Sequence, residues 1–149
     1  MAHQHLDVVL DSSMTLQTDP TTYTATGQNA AVVDLGSGVR ELDVVFNWTA
    51  CAVAAGDGIT FRIQGSNDST FATGVHVLGT LVLGVTAVTG NAVNTPPNGQ
   101  TLVHCHNLVF PSATDSAQQS PVRFVRLSWI RAAAGSVTMA RCGISYMRG

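Results

Sequence analysis

The chain has 149 residues, and only 11% of them are charged, against 45% that are apolar. That length suits one domain with its own core, and the charge fraction falls well below the roughly 25% of an ordinary soluble domain. Net charge is −2. All seven basic residues are arginines, at 40, 62, 123, 126, 131, 141 and 148. They are scattered rather than gathered into a run or stripe, which argues against nucleic-acid binding. A surface with so few charges must be built from Thr, Ser, Asn, Gln, Gly and small apolar residues, and it gives little mutual repulsion. Much of it is therefore expected to be covered in an assembly.

Cys51, Cys105 and Cys142 are odd in number and far apart, with no CxxC pair. They read as buried free thiols of a protein made in a cytoplasm, not as a disulfide framework. The opening MAHQHLDVV lacks a basic segment followed by an apolar one, so no signal peptide is expected.

No long window repeats apolar residues at helical spacing; Thr, Val and Gly dominate, which favours strands and turns. His5 to Leu10 is a short strand candidate. Asp11 to Asn29 is polar and Thr-rich and reads as a loop or extended arm with at most a short strand. The domain division is thus an arm with a first short strand over 1–29 and a single β-domain over 30–149. Ala30 to Leu35 is a strand ended by a Gly36-Ser37-Gly38 turn.

Leu42 to Val53 carries the clearest signal. Leu42, Val44, Phe46 and Trp48 alternate with polar or smaller residues, the period of a half-buried strand. After the Ala54–Gly58 turn, Ile59, Phe61 and Ile63 alternate again, predicting a hairpin with the preceding strand. The polar stretch Ile63–Phe71, IQGSNDSTF, then breaks the pattern. Val75 to Leu83 is the next strand. The longer apolar run Val75 to Val93 approaches membrane-spanning length, but His76, Asn91 and its Gly and Thr residues make it strands around a turn, with no membrane partner. A loop over Asn91 to Gln100, a strand over Thr101 to Phe110, a loop over Ser112 to Pro121, and two long strands, Val122 to Ala132 and Ser136 to Met147, complete the chain. About eight strands with such turns predict an all-β sandwich, jelly roll or barrel, and the long loops favour a sandwich with crossovers.

Three constellations tempt a chemical reading. IQGSNDSTF holds one carboxylate, Asp68, where a calcium loop needs several converging oxygens. It also lacks the GxSxG spacing and the following helix of a nucleophile elbow. It reads as a turn whose Ser, Asn and Asp side chains bond nearby backbone groups. His104 and His106 fall on one face of a strand, with Cys105 on the other. Two histidines can begin a zinc site, but three or four ligands are needed, and no HExxH motif or acidic partner lies nearby in sequence. They stay weak metal candidates, and no metal or other cofactor is assigned. No motif marks an activated nucleophile or a tuned acid, so no enzyme activity is expected. Trp48 and Trp129 fit core packing better than a sugar-binding surface.

Taken together, TGQNAAVVDLGSG, LDVVFNWTA, GDGITFRIQGSNDSTFATG and FVRLSWIRAAAGSVTMARCGISYM resemble the small capsid cement (decoration) proteins of tailed bacteriophages. The resemblance runs from Gln28 to Met147 and rests on short, turn-like motifs. It implies a jelly-roll β-sandwich and a homotrimer on the outer capsid surface of the virion. There the trimer would clamp neighbouring copies of the major capsid protein, with no catalytic function. Polar side chains on the arm and loops are then the expected contacts: His3, His5, Asp11, Thr15, Tyr23, Asn91, Asn98 and Gln118. The competing reading is a lectin-like or receptor-binding sandwich module on a virion surface. Exposed aromatics in one loop cluster would support that reading, and the loops over 87–100 and 112–121 contain none.

Overall fold

The computed structural model describes residues 15–17, 21–36, 41–52, 58–84, 98–106, 109–111, 119–131 and 135–148. Among them are eleven strands and no helix. They are β1 (Thr15–Gln17), β2 (Thr21–Tyr23), β3 (Gly27–Asp34), β4 (Glu41–Ala52), β5 (Gly58–Ser66), β6 (His76–Gly84), β7 (Gly99–His106), β8 (Val109–Pro111), β9 (Gln119–Pro121), β10 (Phe124–Arg131) and β11 (Ser136–Arg148).

Two antiparallel sheets pack as an open sandwich. One has the order β1-β11-β4-β7, with β2 also paired to β11, and the other has the order β3-β10-β5-β6. A separate ribbon pairs β8 with β9. β7 packs near β6 at one side of the sandwich, and β1 near β3 at the other.

The alternation in β4 and β5 builds the core as its period demands. Leu42, Val44 and Phe46 of β4 and Ile59, Phe61 and Ile63 of β5 are fully buried, and Trp48 nearly so. Val125 and Leu127 of β10, with Val137, Met139 and Cys142 of β11, close the layer between the sheets. These inward faces interdigitate as in other aligned sandwiches, and full burial of one such side chain contributes about 1.5–3 kcal/mol. Phe61 meets Tyr23 edge-on at 5.1 Å between centroids, a favourable aromatic geometry.

Two expectations change, the hairpin of β4 with β5 and the loop-like arm. β4 and β5 do not form a hairpin: β4 pairs with β7 and β11, while β5 pairs with β6 and β10. The chain therefore passes from one sheet to the other between β4 and β5. The two final strands are likewise split, β10 in one sheet and β11 in the other. The described part of the 1–29 arm is not detached. β1 and β2 pair with β11, and Gly27 opens β3, so Leu16 and Tyr23 reach the core. The strand candidate at His5–Leu10 lies outside the described residues.

Close approaches fix two glycines. A Cβ on Gly99 would lie 2.4 Å from Cζ2 of Trp48, and one on Gly79 would lie 2.7 Å from Cγ1 of Val103. Gly79 is on β6 and Val103 on β7, so this glycine lets the two sheets close on each other at that side.

Candidate functional site

The IQGSNDSTF stretch ends β5 and turns into β6. The strand runs on to Ser66, further than the alternation of Ile59, Phe61 and Ile63 suggests. Ser66 is fully buried; its Oγ donates to the Thr73 carbonyl and accepts from the Asp68 backbone N–H. Asp68 then organises the turn. Its Oδ1 accepts from the backbone N–H and hydroxyl of Thr70 at 2.9 and 2.7 Å, and its Oδ2 accepts from the backbone N–H groups of Ala72 and Thr73. The Thr70 bonds foremost hold the Asp68 carboxyl below the usual carboxylate range, because they favour the charged form. The lone carboxylate spends its acceptor capacity on its own loop, as an Asx-type turn does.

The same loop ties three strands together. Asn67 Oδ1 accepts from the Arg123 backbone N–H, and the Arg123 carbonyl accepts from Leu35 N–H. The Arg123 guanidinium pairs with Asp34 at the end of β3 at 2.9 Å. Phe71 folds back with φ +54°, and its ring is buried beneath the Arg126 guanidinium. The stretch that most resembled an active site is thus a brace between β3, β5 and β10.

His104 and His106 lie on β7 facing solvent, with Cys105 fully buried behind them, as the strand period requires. Their acidic neighbours come from β4, which the sequence spacing does not reveal. Asp43 is directly opposite His104 and Glu41 opposite His106. His104 Nδ1 bonds Asp43 Oδ1, while His106 Nδ1 lies 3.9 Å from Glu41 Oε1. The two imidazoles meet edge-on at 3.7 Å between centroids. Among the described residues, no group of three or more His, Cys, Asp or Glu side chains is placed to hold a metal ion. Burial pushes the Cys105 thiol up to about 11, with the Asp43 charge adding to the effect. An inert thiol behind the pair follows from that shift.

Of the expected contact residues, Thr15, Tyr23 and Asn98 are among the described ones. Tyr23 is a correction: it is buried, and its hydroxyl donates to Gln17 Oε1 at 2.5 Å, while Gln17 Nε2 donates to the Met139 carbonyl. Its side chain belongs to the core and presents no contact. Burial drives the Tyr23 hydroxyl well above its ordinary range. Thr15 is half-buried in β1, and Asn98 is exposed just before β7. His3, His5, Asp11, Asn91 and Gln118 lie outside the described residues.

The outward side chains that stand out are apolar. Leu102 on β7 is 58% exposed, and Val77 and Val82 on β6 are 49% and 48% exposed. Val32, Val75 and Ile130 are exposed to a lesser degree. β6 and β7 are legible in sequence as strands, but not which of their apolar side chains face outward, because their patterns show no clean alternation. Sheet β3-β10-β5-β6 also turns Arg126 outward, where its Nε donates to Gln64 Oε1. No helix among the described residues is long and apolar enough to cross a membrane. No protein-family model matches the chain, and no curated protein matches it either.

Proposed function

We propose that the chain is a capsid decoration protein: a homotrimer that binds the outer surface of a phage head and stabilises contacts between copies of the major capsid protein. The strand order is the observation that carries this reading. Setting aside β2 and the β8–β9 ribbon, the eight remaining strands, renumbered along the chain, run 1-8-3-6 in one sheet and 2-7-4-5 in the other. That is the double Greek-key order of a jelly roll, a fold built repeatedly into viral shells. Fold analogy alone does not assign function. The sequence resemblance and the sparsely charged surface support the same assignment from other directions.

Clamping follows from mass action. A trimer that binds assembled subunits but not free ones stabilises the shell by its binding free energy. With 11% charged residues, adhesion rests on shape, apolar contact and hydrogen bonds from neutral side chains. The test is to add purified protein to heads lacking decoration and to count bound copies by cryo-electron microscopy. Saturable occupancy at three-fold positions, with a raised temperature of head disruption, is the expected result. Absence of binding at micromolar protein overturns the reading.

A further inference from the structure

We infer that Asn98-Gly99 is a site of covalent self-modification, at which the folded chain converts Asn98 to aspartate and isoaspartate through a succinimide ring.

That chemistry needs a side-chain amide next to an unshielded backbone nitrogen, water around it, and a peptide plane free to turn. The first requirement is met in the sequence. Asn98 is the one asparagine of the chain that is followed by glycine. Elsewhere the next residue carries a side chain that crowds the approach of its own backbone nitrogen, as Trp48 does after Asn47 and Asp68 after Asn67. Glycine has no Cβ to stand in the way and allows the widest range of backbone angles.

The fold meets the other two. Asn98 is exposed and sits in a bend, and β7 begins immediately after it at Gly99. The first pair of that strand joins Gly99 to Trp48. Strand ends fray at a free-energy cost near zero, so the Asn98–Gly99 peptide turns without opening the rest of β7. Asn47 and Asn67 are held differently. Asn47 lies inside β4, with Arg141 opposite on one side and Gln100 on the other. Asn67 Oδ1 accepts from the Arg123 backbone N–H.

Core packing keeps the glycine in place. A Cβ at position 99 would lie 2.4 Å from Cζ2 of Trp48, so the side chains that would slow the reaction do not fit. The ring that fills the core at this end of β4 therefore demands the residue that leaves Asn98 reactive.

The reaction takes in one water and releases one ammonia. The Gly99 nitrogen gives its proton to a base in the buffer and attacks Cγ of Asn98. The new N–Cγ bond closes a five-membered ring. The Cγ–Nδ2 bond breaks, and ammonia leaves with a proton returned by the base. Water then adds to one of the two ring carbonyls. Cleavage at Cγ restores the main chain with aspartate at 98. Cleavage at the main-chain carbonyl carbon leaves isoaspartate, whose backbone runs through Cβ and Cγ. Either product adds a negative charge to a chain whose net charge is −2, next to a strand, GQTLVHCH, that contains no Asp, Glu, Lys or Arg. Isoaspartate also lengthens the main chain by one carbon just ahead of the Gly99–Trp48 pair.

The test holds the full native chain in mildly alkaline buffer. The peptide containing 98–99 is followed by mass and by enzymatic methylation of isoaspartate. Asn98 should convert ahead of every other asparagine, with ammonia released in step and with both aspartate and isoaspartate formed. The rate should rise with pH, because the Gly99 nitrogen must lose its proton. Since a strand end opens at little cost, the native rate should lie within about tenfold of the rate in urea. Asn98→Gln, which needs a larger ring, should lose the ammonia release from this site and keep the far-ultraviolet β signal. A native rate more than about tenfold below the urea rate overturns the inference, because β7 then shields the site. So does aspartate formed without isoaspartate, or another asparagine that reacts first.

Discussion

The Arg126 guanidinium lies 4.3 Å from the centroid of the Phe71 ring, and Phe71 is the one described non-glycine residue with positive φ. The turn after β5 holds an L-residue in the left-handed region, at a cost of about 1–2 kcal/mol, and offsets that cost with ring burial and a stacked cation. Burial also lowers the Arg126 pKa, while the ring face and Gln64 supply part of what water would have given. Replacing Phe71 should therefore reverse an ordinary ranking. Phe71→Ala should cost about 3 kcal/mol for the lost buried ring. Phe71→Gly should be no worse than Phe71→Ala, because glycine accepts the positive φ freely. Urea midpoints at one fixed protein concentration check this, and a glycine variant clearly weaker than the alanine one would contradict the strain argument.

Acid should loosen the same turn. Asp68 is held below its ordinary range by bonds from Thr70 first, then from Ala72 and Thr73. Asp34 is held low chiefly by Arg123 and also by the Gly36 N–H. A carboxyl whose folded pKa is depressed contributes stability above its unfolded pKa, near 4 for Asp, and loses it as pH falls through the folded value. Melting temperature should therefore drop below about pH 4. Asp68→Asn should start lower at neutral pH and show a flatter acid limb, and D34N/D68N a flatter one still. Thermal melts from neutral pH into the acid range read this directly. An acid limb with the wild-type slope in D34N/D68N would assign it to other groups.

Gly99 and Trp48 should behave as one unit. A Cβ at 99 meets the Trp48 ring at 2.4 to 3.0 Å, so Gly99→Ala should cost about 2 kcal/mol by overpacking. Trp48→Phe shortens the ring at the point of collision. In G99A/W48F the combined loss should fall short of the sum by about 1 kcal/mol. Additive losses would mean that the ring moves aside without penalty.

The thiols should report folding. Burial pushes the Cys142 thiol well above its ordinary range, pushes Cys105 up to about 11, and raises Cys51 less. A thiol reagent at pH 8 should modify Cys51 first and leave Cys105 and Cys142 protected until the chain unfolds. Rapid modification of all three in native buffer would place the sheet packing in doubt.

Much of the core could be read from period alone. Leu42, Val44, Phe46 and Trp48 alternate in β4 and all point inward; Ile59, Phe61 and Ile63 do the same in β5. Alternation names the buried face but not the neighbour. β4 and β5 are consecutive in the chain, yet they sit in different sheets. The bond between His104 and Asp43 spans 61 positions, and only the placement of β7 beside β4 creates it. Tyr23 was hidden for the opposite reason. It sits in a Thr-rich polar segment, and its burial depends on Gln17 and Phe61 being brought to it by folding. Val77, Val82 and Leu102 look in sequence like core residues, and only the registers, which set them opposite Gln64, Thr60 and Val45, place them on the outer faces of the two sheets.

On the proposed decoration reading, salt should matter little to capsid binding. The described charges that fall near one another are largely satisfied within the chain: Arg123 by Asp34, Asp68 by its loop, and Asp43 by His104. Charged residues are also sparse over the chain, at 11%. Raising salt from 0.1 to 1 M shortens the screening length from about 10 Å to about 3 Å, which strips surface pairing and leaves apolar contact untouched. Occupancy of decoration-free heads at sub-saturating protein should change by less than about threefold over that range. A loss of tenfold or more would show that charge carries the contact, and would move the shell-facing surface toward the exposed arginines.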